Sequence, residues 1–165
     1  MKLFTHKIKN LRISFLSLLL LCGVFGANAQ LSGTFTIDPN GSGSTNFASI
    51  GDAVDSLDDV GVNGPVTFNL SSDTFNEAVT ISAISGASST NLITFSGNGM
   101  SNTVVRNTAV VFSLDGASSI RLVNMTIENT STSFNTYVID IDDSDTIYVD
   151  SFRLEDENNF GNYTV

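Results

Sequence analysis

The 165-residue sequence contains one histidine, one cysteine, two prolines and no tryptophan. His6 and Cys22 both precede residue 30, so the stretch 30–165 has neither side chain. From residue 30 onward, this excludes a Ser-His-Asp or Cys-His catalytic mechanism and a zinc site with His or Cys ligands. It also excludes a disulfide bond within that part of the chain.

Basic residues are scarce in the same part of the chain. Four of the seven precede residue 30, which leaves Arg106, Arg121 and Arg153 against 17 acidic residues, a net charge of −14. Because phosphate backbones are bound by clustered cations, we expect no nucleic-acid partner. Cations, neutral glycans and basic surfaces stay open as ligand classes.

Residues 1–29 have the three parts of a secretory signal peptide. A basic start extends to Arg12, an apolar run covers residues 13–24, and Ala27-Asn28-Ala29 is a small-x-small cleavage site. The run is shorter than the about 20 residues of a membrane-spanning helix. We expect cleavage after Ala29, a secreted or cell-surface location, and no membrane span in the mature chain. An uncleaved membrane anchor is the alternative.

A 27-residue repeat runs through the rest of the sequence. A pair of apolar side chains recurs four times: Val66 and Phe68, Ile93 and Phe95, Ile120 and Leu122, Ile147 and Val149. A second apolar set recurs once at the same interval: Val110, Phe112 and Leu114, then Tyr137, Ile139 and Ile141. A fixed period of this length predicts stacked units, each of which buries its apolar face against its neighbours.

The alternation of apolar residues breaks at a fixed place in the repeat. After Ile120 and Leu122 the inward phase shifts by one position at Asn124, and the same shift occurs one period later at Ser151. Since strand side chains alternate between faces, the chain must turn a corner there while the same side stays inside. The pattern predicts an all-β parallel β-helix, a solenoid of about 27 residues and three strands per rung. A β-sandwich is the alternative, although it does not require equal spacing.

Residues 30–64 have the pattern of a cap on this stack. The chain alternates from Leu31 to Ile37, and residues 47, 50, 54 and 57 are apolar at helical spacing, with Ser49 and Asp52 placed as an approximate capping box. An amphipathic helix here covers apolar core that the first rung leaves open. We predict β-helix rungs over 65–165. The next repeat position falls near residue 174, so we expect the rungs to be truncated and the chain to be part of a longer protein.

Three segments in and after the cap resemble the opening of pectin methylesterases and related pectin-lyase-like proteins. They are DPNGSG at 38–43, FASIGDAV at 47–54 and DTFNEAVTI at 73–81. The resemblance implies a right-handed β-helix in an exported bacterial protein. The chain departs from the family at Asp73 and Phe75, where the family usually has Gly and Tyr. The fold follows from such a resemblance, whereas the activity does not.

No catalytic set can be carried over from that family. Its esterases use a glutamine, two aspartates and an arginine in rungs beyond the opening, and this chain has no glutamine after Gln30. A lyase needs calcium and a basic residue that removes a sugar-ring proton. Arg121 is the candidate for that base, and a surface or corner arginine is the simpler interpretation. We expect no catalysis within this chain.

The densest acidic cluster is a candidate calcium site. Hard oxygen ligands at this density suit calcium, although neither the EF-hand nor the glycine-rich nonapeptide pattern is present. Asp142 follows Asp115 by one period, so the two carboxylates are predicted to stack and repel each other, which a cation would relieve. A solvated acidic turn is the alternative. The candidate ligands are Asp115, Asp140, Asp142, Asp143 and Asp145. No other cofactor is indicated.

Outward residues between the repeated apolar pairs form a candidate glycan site. Thr94, Arg121 and Tyr148 follow one another at the repeat interval, in line with Thr67, and Asp150 lies two positions after the tyrosine. A tyrosine beside Arg and Asp suits sugars through ring stacking and bidentate hydrogen bonds. A merely solubilising polar surface is the alternative.

Two hypotheses about function follow. The first is an exported, non-catalytic β-helix module for adhesion, glycan contact or rigid spacing. The second is the N-terminal part of a pectin-lyase-like enzyme that acts on polysaccharide, with its catalytic rungs beyond this chain. Neither the ligand nor the oligomeric state follows from the sequence.

Overall fold

The computed structural model describes residues 29–133 and 137–156. The predicted signal peptide, apart from Ala29, lies outside these described residues, as do residues 134–136 and 157–165 of the predicted rungs.

The described residues form thirteen strands and one helix. The helix, α1, covers Ile50–Val60. Before it lie β1 (Leu31–Ile37) and β2 (Asn46–Phe47), and after it the strands are β3 (Val62–Leu70), β4 (Thr74–Asn76), β5 (Val79–Ile81), β6 (Ile93–Ser96), β7 (Val104–Asn107), β8 (Phe112–Asp115), β9 (Ser118–Val123), β10 (Thr126–Asn129), β11 (Ile139–Asp142), β12 (Asp145–Asp150) and β13 (Arg153–Asp156).

These strands make three sheets in which paired strands run parallel. The first sheet has the order β12-β9-β6-β3-β1-β2, the second β13-β10-β7-β4 and the third β11-β8-β5. From β3 onward, the chain visits the first, second and third sheets in turn and then returns to the first. The described part is therefore all-β, with parallel sheets and a short helix.

The repeat period sets the register of the first sheet. Val66 pairs with Ile93, Ile93 with Ile120, and Ile120 with Ile147. This part of the prediction is confirmed. The second sheet keeps the period less strictly, because Val104 pairs with both Thr74 and Thr126, which lie at unequal distances from it along the chain. The connections between the sheets vary in length from one repeat to the next, so the strands of the second sheet stay aligned.

Left-handed backbone positions recur where the chain leaves or enters the first sheet. Asn124 has φ 59° and Ser151 has φ 50°, so the predicted corners at these two residues are confirmed. Thr146 has φ 57°, although a β-branched side chain is strained in this region. Three such pairs lie one period apart: Gly116 and Asp143, Ser119 and Thr146, and Asn124 and Ser151.

The core is a stack of inward side chains between the three sheets. Val66, Ile93 and Ile120 are fully buried. Beside them Phe68 and Phe95 stack with ring centroids 5.0 Å apart. Phe68 also contacts Phe35 and Phe47 of the first two strands, each with a centroid separation of 5.6 Å. Aromatic packing thus joins the segment before α1 to the repeated strands.

The second apolar set differs from the prediction at its ends. Phe112 and Leu114 are buried in β8 as expected, but Val111 is fully buried whereas Val110 is only half-buried. Val110 precedes the strand, so alternation does not fix its direction. Tyr137 is 47 % exposed, and Ile141 is 45 % exposed on β11 at the edge of the third sheet.

Helix α1 begins at a two-part cap. The Ser49 hydroxyl accepts a hydrogen bond from the Asp52 N–H at 3.0 Å, which confirms the predicted capping residue. The Glu77 carboxylate accepts two more, from the N–H groups of Ile50 at 3.2 Å and Gly51 at 2.9 Å. A negative charge at a helix N-terminus is favourable. Glu77 therefore ties the helix to the segment between β4 and β5.

The end of α1 requires a glycine. Gly61 has φ 67°, and its N–H donates to the Leu57 carbonyl at 2.8 Å. A Cβ at Gly61 would lie 2.5 Å from the Ser85 carbonyl oxygen, which accepts a hydrogen bond from the Val62 N–H. The close approach lets the loop after β5 pack against the start of β3.

Candidate functional site

Two rows of side chains point outward from the first sheet. The first outer row is Thr34, Thr67, Thr94, Arg121 and Tyr148. The second outer row is Asn46, Thr36, Asn69, Ser96, Val123 and Asp150, of which Val123 is buried. Neighbouring members of a row stand on adjacent strands, about 4.8 Å apart. The predicted alignment of Thr94, Arg121 and Tyr148 is therefore present in the sheet register.

Arg121 and Asp150 are brought together across β9 and β12. The Arg121 Nη2 donates to Asp150 Oδ2 at 3.3 Å, and both side chains are substantially exposed. The other Asp150 oxygen accepts a hydrogen bond from the Ser151 hydroxyl at 3.3 Å. An exposed pair of this kind contributes at most about 1 kcal/mol to stability. Among the described residues Arg121 makes no other hydrogen bond, so its remaining donors stay accessible to a ligand.

Tyr148 completes a groove beside this pair. The tyrosine is 51 % exposed. The groove has a volume of about 590 Å³ and is lined by Arg121, by Ile147, Tyr148, Val149 and Asp150 of β12, and by Ser89 and Leu92. Thr94 stands one strand away from Arg121 and is not part of the lining.

Ser89 and Leu92 were missed by the sequence prediction. They belong to the connection between β5 and β6, which is longer than the corresponding connections in the later repeats. The residues one period later are Gly116 and Ser119, which do not line the groove, so the repeat does not reveal Ser89 and Leu92. We call the groove lined by Arg121, Tyr148, Asp150, Ser89 and Leu92 the arginine groove.

The acidic residues proposed for calcium lie on and after the third sheet. Asp115 and Asp142 are register partners on β8 and β11, as their spacing predicts. Asp140 lies opposite Ser113, Asp143 has φ 45° in the turn, and Asp145 opens β12. All five side chains are exposed. In residues 29–133 and 137–156 no three acidic side chains converge as a metal-binding group.

The other two arginines form polar contacts on the outer face of the second sheet. Arg106 donates from Nε to Asn76 Oδ1 at 2.9 Å and lies 3.7 Å from a Glu128 oxygen. Arg153 pairs with Glu155 at 3.1 Å. These contacts link neighbouring strands or residues of one strand, so both arginines have a structural explanation that their sequence positions did not suggest.

One carboxyl group on α1 has a shifted pKa. Asp58 is largely exposed, and its slight burial raises the pKa of its carboxyl group, as do the negative charges of Asp55 and Asp59. The helix has no basic residue in its last turn to offset these charges. Protonating Asp58 is therefore favoured by folding, which gives the helix end a dependence on acid pH.

No helix in the described ranges has the length and apolar character needed to cross a membrane. The sequence matches no protein-family model, and comparisons with curated proteins and with solved structures find no match.

Proposed function

We propose that this protein is an exported, non-catalytic right-handed parallel β-helix module whose outer face contacts polysaccharides or cell-surface glycans. The β-helix is supported by the repeated visiting order of the three sheets and by the periodic register of the first. The right hand is supported by the general rule that crossovers between parallel strands are right-handed.

The arginine groove carries the proposal for glycan contact. Arg121 presents free donors in a planar fork, Asp150 presents acceptors, and Tyr148 presents an exposed ring within the same 590 Å³ groove. Sugar hydroxyls both donate and accept hydrogen bonds, and the C–H face of a pyranose ring packs on an aromatic ring. These three side chains together match all the surfaces that a sugar offers.

The test starts with a glycan array on the chain, followed by titration of the best ligand. We expect Tyr148→Ala to weaken binding about tenfold, which corresponds to about 1.4 kcal/mol. Tyr137→Ala is the matched control, because Tyr137 is exposed to a similar extent (47 %) and its described hydrogen bond uses only its backbone carbonyl. Equal affinities for the two variants, or no glycan bound on the array, would contradict the proposal.

Arg121→Lys separates charge from geometry. Lysine keeps the positive charge but lacks the planar fork, so a ligand held by paired hydrogen bonds is expected to bind more weakly to this variant. Arg106→Lys is its control, since Arg106 lies on the second sheet between Asn76 and Glu128.

The enzyme hypothesis remains the alternative and has a separate test. Incubating the array's best polysaccharide with the chain and measuring new reducing ends or unsaturated sugars distinguishes the two. Binding without new chain ends supports the non-catalytic module, whereas turnover that Asp150→Asn abolishes supports the enzyme.

A further inference from the structure

A second groove opens on the first sheet at the carboxyl ends of β1, β3 and β6. Its volume is about 430 Å³, and its lining includes Asp38, Asn46, Asn69, Ser71, Ser96 and Asn98. We call it the amide groove. Neither the repeat period nor the resemblance to other proteins pointed to it.

Several polar groups in the amide groove have unused hydrogen-bonding capacity. The Asn69 side chain makes no hydrogen bond to another described residue. Asn98 donates from Nδ2 to the Ser72 hydroxyl at 2.9 Å, which leaves its Oδ1 as an acceptor. Asp38 accepts from the Asn40 N–H through Oδ1, which leaves Oδ2. The groove therefore offers both donors and acceptors to a ligand.

Ser71 gives the strongest indication of a ligand. Its Oγ is buried and has no hydrogen-bond partner, the one such side-chain atom found in residues 29–133 and 137–156. Buried hydroxyl groups are almost always paired, because an unpaired one loses its hydration without compensation. Ser71 also lines the amide groove, so a rotation about its Cα–Cβ bond would turn the hydroxyl toward the groove, where a bound hydroxyl group can supply the missing partner.

The chemistry of the lining selects the class of ligand. Asp38 brings a negative charge and none of the lining side chains is cationic, which disfavours anions. A single carboxylate among amides and hydroxyls is a poor set for a divalent cation, which prefers several charged oxygens. Amide and hydroxyl side chains disfavour an apolar molecule. A neutral ligand with many hydroxyl groups fits all of these conditions.

We propose that the amide groove binds a neutral hexopyranose unit, with Ser71, Asn69 and Asn98 as its hydrogen-bonding residues. This inference shares the ligand class of the proposed function, rests on it and deepens it. The two grooves lie on one face, because Asn69, Ser96, Val123 and Asp150 follow one another across adjacent strands. Ser96 and Asp150 are two strand steps apart, about 10 Å. A glycan that crosses the strands contacts both grooves.

The test uses side-chain amide resonances of the ¹⁵N-labelled full chain. Methyl glucoside, methyl galactoside and methyl mannoside are titrated in turn, and galacturonate serves as the anionic comparison. We expect saturable shifts of the Asn69 and Asn98 amides with at least one neutral glycoside and none with galacturonate. These shifts should persist in Tyr148→Ala, since the amide groove does not include Tyr148.

Two variants separate binding from folding. Ser71→Ala removes one ligand hydrogen bond and is expected to raise the Kd about two- to tenfold. The same change deletes an unpaired buried hydroxyl, so the urea midpoint should stay the same or rise. Thr67→Ala is the matched control, since Thr67 is also an outward residue near the grooves but lines neither of them.

Each outcome has a distinct meaning. Shifts only of signals near Arg121 and Tyr148 would overturn the amide groove and leave the proposed function standing. Shifts confined to the amide groove would support this inference and contradict the arginine groove. No saturable shift with any glycoside, or a Ser71→Ala variant that binds as the wild type does, would overturn the assignment.

Discussion

Loss of the Phe68 side chain should destabilise the fold strongly, because it removes ring contacts to three other strands. Phe68 is fully buried, stacks on Phe95, and contacts Phe35 and Phe47 on the other side. Truncating a buried phenylalanine to alanine costs about 3–5 kcal/mol. Each aromatic pair adds about 0.5–1.5 kcal/mol beyond the area that it buries. We therefore expect Phe68→Ala to lower the free energy of unfolding by about 5 kcal/mol, the top of the range for truncating a buried phenylalanine.

Phe112 provides the internal comparison. It is also fully buried, but it has no aromatic ring neighbour among the described residues. Phe112→Ala is expected to cost about 3–3.5 kcal/mol, so the difference between the two variants isolates the three ring contacts of Phe68 at about 1.5–2 kcal/mol. Phe68→Leu keeps most of the volume and should lose about 1–1.5 kcal/mol.

Urea unfolding followed by far-ultraviolet circular dichroism measures these differences. With a slope of about 2 kcal/mol per molar urea, Phe68→Ala should move the midpoint down by about 2.5 M. A protein near the lower end of the ordinary range of stability, about 5–15 kcal/mol, is left with little free energy of unfolding by this change. If Phe68→Ala is no less stable than Phe112→Ala, the ring stack contributes nothing and the reasoning fails.

Four further changes are predicted. Glu77→Ala should cost about 1.5–3 kcal/mol in urea unfolding because two helix N–H groups lose a charged acceptor, and Glu77→Gln should cost less. Thr146→Gly should raise stability by about 0.5–1 kcal/mol, since relief of left-handed strain exceeds the entropy that glycine loses on folding. Because the pKa of Asp58 is raised in the folded state, its charged form opposes folding, and Asp58→Asn should be a few tenths of a kcal/mol more stable than the wild type at neutral pH. This difference in the free energy of unfolding should disappear as the pH falls through the raised pKa towards 3.8. In the presence of chelator, Asp142→Asn should have a slightly higher Tm than the wild type, because the repulsion with Asp115 is removed. If the pair holds calcium, added calcium should raise the Tm of the wild type but not that of Asp142→Asn.

The register of the first sheet follows from the sequence because two constraints act on the same residues. Val66, Ile93, Ile120 and Ile147 are apolar, and their equal spacing fixes which strands lie side by side. A slip of one position would turn every buried side chain outward, so the alternative registers are costly. The corner at Asn124 was predictable for the same reason, since the alternation shifts there.

Contacts made by single residues outside this pattern were not predictable. Glu77 caps a helix that begins far before it in the chain, and an isolated glutamate gives no sign of its partner. Ser89 and Leu92 reach the arginine groove from a connection of irregular length. Ser71 stands out only because its hydroxyl is buried, which depends on packing around it rather than on its neighbours in sequence. The calcium, glycan and export assignments stay predictions.

The strict period of the first sheet gives the protein a modular unit of length. The segment 120–146 runs from one repeat position to the next, and its described residues contribute to all three sheets. A tandem duplication of that segment would add strands whose backbone pairing and inward side chains match those already present. Both outer rows would gain one position each, so the area of the outer face could be enlarged in fixed steps without redesigning the core.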